Sequence, residues 1–140
     1  MPQQDRDHYI VLKALRASGW TITHEKGMFF NWGDKTGTVD IGAEMYVAEK
    51  GTRKIAVEVK NYPAKGKGVM SDFNRSVGQY QRYASHFRKN EPDRQVYKAV
   101  PKATYDGFLS NPVTAEFLKE QGVKMFVYNP DSETIEKWID

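Results

Sequence analysis

The stretch TVDIGAEMYVA at residues 38–48, followed after a turn by RKIAVEVK at residues 53–60, decides the fold. In the first segment Val39, Ile41, Ala43, Met45 and Val47 alternate with Asp40, Gly42, Glu44 and Tyr46, the period of a strand with one apolar face. In the second, Ile55, Val57 and Val59 alternate with Ala56, Glu58 and Lys60 in the same way. Two alternating runs separated by the turn at Glu49 to Thr52 predict a hairpin.

His8, Val11, Leu12 and Leu15 are spaced i, i+3, i+4, i+7, which predicts a helix over 5–18 closed by Gly19. Trp20 to Thr23 and Met28 to Trp32 read as short strands with Glu25-Lys26-Gly27 as the turn between them, and Gly33 to Gly37 reads as a loop. Asn61 to Met70 is rich in Gly, Lys and Pro and is expected as a loop. Ser71 is then the expected N-cap of a helix that buries Phe73, Val77, Tyr80 and Ala84 and ends near Lys89. A strand at 95–100, a short helix at 102–109, a helix at 112–121 capped by Asn111, and strands at 123–129 and 133–139 complete the chain. This order predicts one α/β domain over residues 1–140, a mixed β-sheet flanked by helices.

The composition fits a folded chain: 39% hydrophobic and 13% aromatic residues supply apolar area to offset ordering entropy. The absence of cysteine excludes disulfides, thiolate zinc sites and cysteine nucleophiles. No apolar run approaches the roughly 20 residues of a membrane span and the first seven residues are polar, so a cytoplasmic protein with no membrane partner is expected. The net charge of +3 is unevenly spread. Between Lys60 and Asn90 stand seven cations (Lys60, Lys65, Lys67, Arg75, Arg82, Arg88, Lys89) and one anion, Asp72, a local +6. Such a run is often only a solvated face, and it is also the footprint of phosphate binding.

The residues that carry chemistry are Asp40 and, eighteen positions on, Glu58-Val59-Lys60. Alternation places Glu58 and Lys60 on one face. If Asp40 shares that face, two carboxylates converge as Mg2+ or Mn2+ requires, with water and phosphate oxygens completing the shell. Lys60 then orients the attacking water or neutralises developing negative charge. Read alone, the set is also an ordinary cross-strand Glu and Lys pair, worth tenths of a kcal/mol to about 1 kcal/mol. Glu44 shares the Asp40 face and is either a further ligand or a solvent-facing acid. The segment from Ala64 to Ser71 lacks phosphate-loop spacing, and the three histidines form no i, i+4 pair, so an NTPase and a zinc protease are excluded.

Several stretches taken in order resemble the XisH family, cyanobacterial proteins named fdxN-element excision controlling factors. They are the helix with His8 and Val11 leading to Gly19-Trp20-Thr21-Ile22-Thr23, the run from Glu49 to Lys60, the triplet Gly78-Gln79-Tyr80, and the ending Ile135-Glu136-Lys137-Trp138-Ile139. The resemblance implies the restriction-endonuclease-like core of PD-(D/E)XK nucleases and a role in developmentally regulated DNA excision, a DNA recombination event. It implies Asp40, Glu58, Lys60 and Gln79 as catalytic residues, and Asp40, Glu58 and Val59 around the metal. His8 stands where related nucleases bring a carboxylate from the first helix, and the plainer reading is a core or interface histidine. Lys65, Lys67, Arg75 and Arg82 are the expected DNA contacts, with Tyr62 and Tyr83 beside them. The expected partners are DNA and a XisI-like protein, with a homodimer allowed. The other reading is a noncatalytic accessory factor that keeps the nuclease fold to bind DNA or a XisI-like protein.

Overall fold

The computed structural model describes residues 3–48, 50–60 and 68–140. Helix α1 (Gln3–Ala17) forms where the i, i+3, i+4, i+7 stripe predicts it, and Val11 and Leu15 are fully buried. It ends in a Schellman motif: Trp20 N–H donates to Leu15 O at 3.0 Å and Gly19 N–H to Arg16 O at 3.0 Å. Gly19 sits at φ +93°, a conformation that a side chain disfavours.

The strands are β1 (Thr21–His24), β2 (Met28–Trp32), β3 (Lys35–Val39), β4 (Ile41–Val47), β5 (Gly51–Val59), β6 (Arg94–Pro101), β7 (Met125–Asn129) and β8 (Thr134–Ile139). Six of them form one mixed sheet in the order β1-β4-β5-β6-β7-β8, and β2 pairs with β3 in a separate two-stranded ribbon. The pairs β5/β6 and β6/β7 are parallel and the other pairs antiparallel. Parallel neighbours need crossovers. Helix α2 (Val69–Asn90) supplies the first; α3 (Lys102–Thr104), a π-helical turn at Tyr105–Leu109 and α4 (Pro112–Glu120) supply the second. Asn111 caps α4 as expected, its side chain accepting from Val113 N–H at 3.0 Å with a proline in the first turn.

Each sheet face buries its own core. On one side α1 packs Val11, Leu12 and Leu15 against Ile41, Ile55, Val57, Ala99 and Phe126. On the other, Phe73, Val77, Tyr80 and Phe87 of α2 and Leu118 of α4 cover Ala56, Val96, Val100 and Val127. A central strand buried on both faces explains why Ala56 alternates with Ile55 and Val57 without a polar side. No described helix is long and apolar enough to cross a membrane.

The structure corrects four local expectations. The run 38–48 is not one strand: β3 pairs with β2, β4 pairs with β5, and the chain bends at Asp40 between them. Val39 and Ile41 therefore enter opposite cores rather than one face. The pairing of β4 with β5 stops at Ile41↔Val57. Continued in register, Val59 N–H would bond the backbone of Val39; it donates instead to Asp40 Oδ2 at 2.8 Å. A carboxylate has replaced the missing strand partner, which stabilises the bend.

Residues 35–37 are strand rather than loop. Gly33 at φ +62° and Asp34 make a two-residue turn that pairs Trp32 with Lys35. Helix α2 begins at Val69, inside the stretch expected as loop, with Gly68 rather than Ser71 at the cap and no side-chain cap bond. Burial of Val69 in line with Phe73 extends the apolar stripe one turn, which outweighs the missing cap. Glu44 leaves the Asp40 neighbourhood: it lies along β4 opposite Lys54 and meets the buried Arg94 at 3.8 Å. The rest of the expected loop, with Tyr62, Lys65 and Lys67, lies outside the described residues.

Candidate metal centre

Strand register brings the acids together. Because Ile41 faces Val57, the next positions, Asp40 and Glu58, stand side by side, and on the far side of Glu58 its parallel partner on β6 is Lys98. Asp40 at the bend before β4, Glu58 on β5 and Lys98 on β6 thus form a row. Lys60 follows β5 directly, its backbone N–H donating to Ala99 O at 2.9 Å, which ties the end of that strand to β6.

The electrostatics follow from burial. Glu58 is pushed up to about 8, first by removal from water and then by the Asp40 charge, with Lys60, the Asp40 backbone amide and Lys98 opposing the rise. Asp40 is also raised by burial, and the Val59 N–H and the charges of His8 and Lys60 oppose that rise. Lys98 is pushed down to about 7 by burial and by the neighbouring Lys60 cation. Tyr83 of α2 is raised by burial and by the Glu58 and Asp40 charges, so its hydroxyl belongs to the same neighbourhood.

Asp40, Glu58 and Lys60 converge. His8 approaches Asp40 closely enough to influence it, while its Nε2 holds Glu25 O at 2.7 Å and so pins the turn between β1 and β2. Gln79 lies one turn of α2 before Tyr83, with a buried Oε1 that has no hydrogen-bond partner among the described residues. Val59 takes part through its N–H. Arg75 is exposed; Arg82, two turns on along the same helix face, lies over the rings of Tyr83 at 5.4 Å and Trp32 at 5.9 Å.

Sequence reasoning missed Lys98, although a signal existed. It is the one charge inside the apolar run Val96-Tyr97-Lys98-Ala99-Val100, and a lysine is almost never fully buried without a reason. It is 1% exposed, and its Nζ has no hydrogen-bond partner among the described residues.

The donor set fits a hard divalent cation. Glu58 Oε2 is buried without a hydrogen-bond partner among the described residues, and Asp40 stands beside it. No group of three or more His, Asp or Glu among the described residues gathers to hold a metal. Two carboxylates suit Mg2+ or Mn2+, which keep water and substrate oxygens, better than an ion that needs an all-protein cage.

A family model described as "XisH: XisH protein" matches residues 1–136. An XisH family protein from Nostoc punctiforme PCC 73102 has a similar crystal structure, with a TM-score of 0.84 and 34% identity, covering 97% of this chain and 100% of that one. A fdxN element excision controlling factor protein from Anabaena variabilis is similar too, with a TM-score of 0.84 and 37% identity, covering 97% of this chain and 99% of that one. No curated protein matches the chain. The match over nearly its whole length and two structures above 30% identity place this chain in the XisH family.

Proposed function

We propose that the chain is a Mg2+-dependent DNA phosphodiesterase of the PD-(D/E)XK, restriction-endonuclease-like type, acting in element excision with a XisI-like protein as accessory partner. The observation that carries this reading is Glu58 beside Asp40, with a buried carboxylate oxygen lacking a hydrogen-bond partner among the described residues. The antiparallel β4-β5 hairpin leading through α2 into parallel β6 and β7 supports the superfamily assignment.

Asp40 is held by Val59 N–H at 2.8 Å, which fixes the direction of its carboxylate beside Glu58. Asp40 and Glu58 would hold the cation, Glu58 in its carboxylate form. Mg2+, when bound, supplies Lewis-acid stabilisation of charge developing on the phosphodiester. Lys60 orients the attacking water and neutralises negative charge as the new P–O bond forms and the backbone P–O bond breaks. The departing DNA oxygen takes a proton from solvent. A noncatalytic DNA- or XisI-binding factor would have no use for two buried acids that repel one another and DNA phosphate.

Nicking of supercoiled DNA with Mn2+ tests the activity: Lys60→Ala is expected to keep Mn2+ affinity within about threefold while cleavage falls by 100-fold or more, on the order of one lost transition-state donor. Unchanged cleavage would remove Lys60 from the mechanism. Duplex binding is expected to weaken about 40-fold between 50 and 200 mM salt if three of the α2 cations release counterions. Affinity flat across that range would take α2 out of the DNA interface.

A further inference from the structure

Lys98 occupies a position where the fold calls for an apolar side chain. Its neighbours on the same face of β6, Val96 and Val100, pack into the core that α2 covers with Phe73, Val77 and Tyr80. Lys98 is as deeply buried as they are, yet its Nζ finds no acceptor among the described residues. A methionine or leucine would fill the same space without desolvating an amine, so lysine lowers the stability of the fold here. Residues with that effect concentrate where a site needs them.

Register decides which group Lys98 can serve. Parallel pairing sets it directly beside Glu58, two residues on from the paired Ala56 and Val96, which both face α2. Lys98 and Glu58 are near enough for the charge of each to act on the other. Their unmatched atoms are complementary: Nζ donates, Glu58 Oε2 accepts, and both are buried without a hydrogen-bond partner among the described residues. On its other side Glu58 is held by the backbone amide of Asp40. Gln79 Oε1 on α2 is also buried and unpartnered, but a carboxylate is the stronger acceptor for an amine.

We propose, resting on the metal-centre reading above, that Lys98 is the positioning residue of Glu58: its Nζ donates to Oε2 opposite the Asp40 amide and keeps the carboxylate from turning both oxygens toward one ion. The flexible four-carbon stem lets the amine reach that oxygen. The consequence is metal selectivity. Ca2+ gathers many oxygens in a loose shell and often takes two from one carboxylate, whereas Mg2+ holds single oxygens in a strict octahedron, a geometry that Mn2+ shares. A Glu58 clamped from both sides therefore favours the smaller ions.

Calorimetric titration of Mn2+ and of Ca2+ into the full chain tests this. The wild type is expected to bind Mn2+ about tenfold or more tighter than Ca2+. Lys98→Met is expected to weaken Mn2+ binding about tenfold or more, the usual loss when the hydrogen-bond partner of a ligand is removed. Ca2+ affinity should stay within about threefold, because the released carboxylate can offer both oxygens to the larger ion. The folded circular-dichroism spectrum should be kept. A lysine that acted only as a charge or only as packing would not separate the two ions, so unchanged affinities, or a change that does not single out Mn2+, would overturn the inference. A wild type that binds Ca2+ as tightly as Mn2+ would overturn it too, and needs no variant. Each of these results leaves the metal centre standing, whereas a wild type that binds neither ion overturns both readings.

Discussion

Glu58→Gln is expected to make the metal-free protein more stable at about pH 9 and, in the same variant, to abolish Mn2+ binding and cleavage. The Glu58 carboxyl holds its proton in the folded state up to about pH 8, against an ordinary value of 4.5. Between those values the folded chain keeps a proton that the unfolded chain has lost, so stability falls as pH rises across that window. Above it the buried carboxylate destabilises the fold in full, a cost on the order of 5 kcal/mol. Glutamine keeps the shape without the charge. Its melting temperature at high pH should exceed that of the wild type by about 5 °C or more, with the gap closing as pH falls toward the unfolded value. Saturating Mn2+ should stabilise the wild type by roughly 2–3 kcal/mol at about 100 times its Kd and leave Glu58→Gln unmoved. Thermal melts with and without Mn2+ at two pH values make the comparison. A variant less stable than the wild type at high pH would show that the carboxylate already has a strong partner.

Lys98→Met carries the second large effect, with the opposite pH dependence. The Lys98 ammonium is pushed down to about 7 from 10.5, so between those values the unfolded chain binds a proton that the folded one does not. Stability contributed at this position therefore rises with pH across that window and is lowest below it. Methionine fills similar volume without a charge to desolvate. At about pH 6 the metal-free variant should be more stable by on the order of 5 kcal/mol, and at about pH 10.5 the difference should nearly vanish. Urea unfolding at the two pH values measures it. Destabilisation at the lower pH would mean that the ammonium is well paired. Together the two groups give metal-free protein its weakest point near neutral to mildly alkaline pH.

The physical reasons for what sequence did and did not reveal lie in particular residues. The α1 stripe from His8 to Leu15, the β5 alternation and the α2 stripe around Phe73, Val77 and Tyr80 were legible because burial on a regular element imposes its period on the sequence. The neighbourhood of Asp40, Glu58 and Lys60 was legible for the same reason, since two adjacent strands carry it. The bend at Asp40 was not, because alternation cannot reveal that a side chain takes over a backbone hydrogen bond, as Asp40 does with Val59. Nor could it separate Glu44 from Asp40: both sit at polar positions of one run, but register sets Glu44 opposite Lys54, four residues along the strand, where it meets Arg94. The ribbon was half hidden because Gly33 and Gly37 read as loop residues, whereas one makes the turn and the other accommodates Phe30. Lys98 was overlooked because parallel register sets it beside Glu58, and that pairing spans forty residues of chain.

A crystal soaked in manganese and measured at the manganese absorption edge gives the most direct answer. An anomalous peak is expected between the Asp40 and Glu58 carboxylates, with Lys60 nearby and the peak absent in Glu58→Ala. A fully soaked crystal with no peak there, or with the two carboxylates directed to opposite faces of the sheet, would contradict a metal-dependent centre at this position.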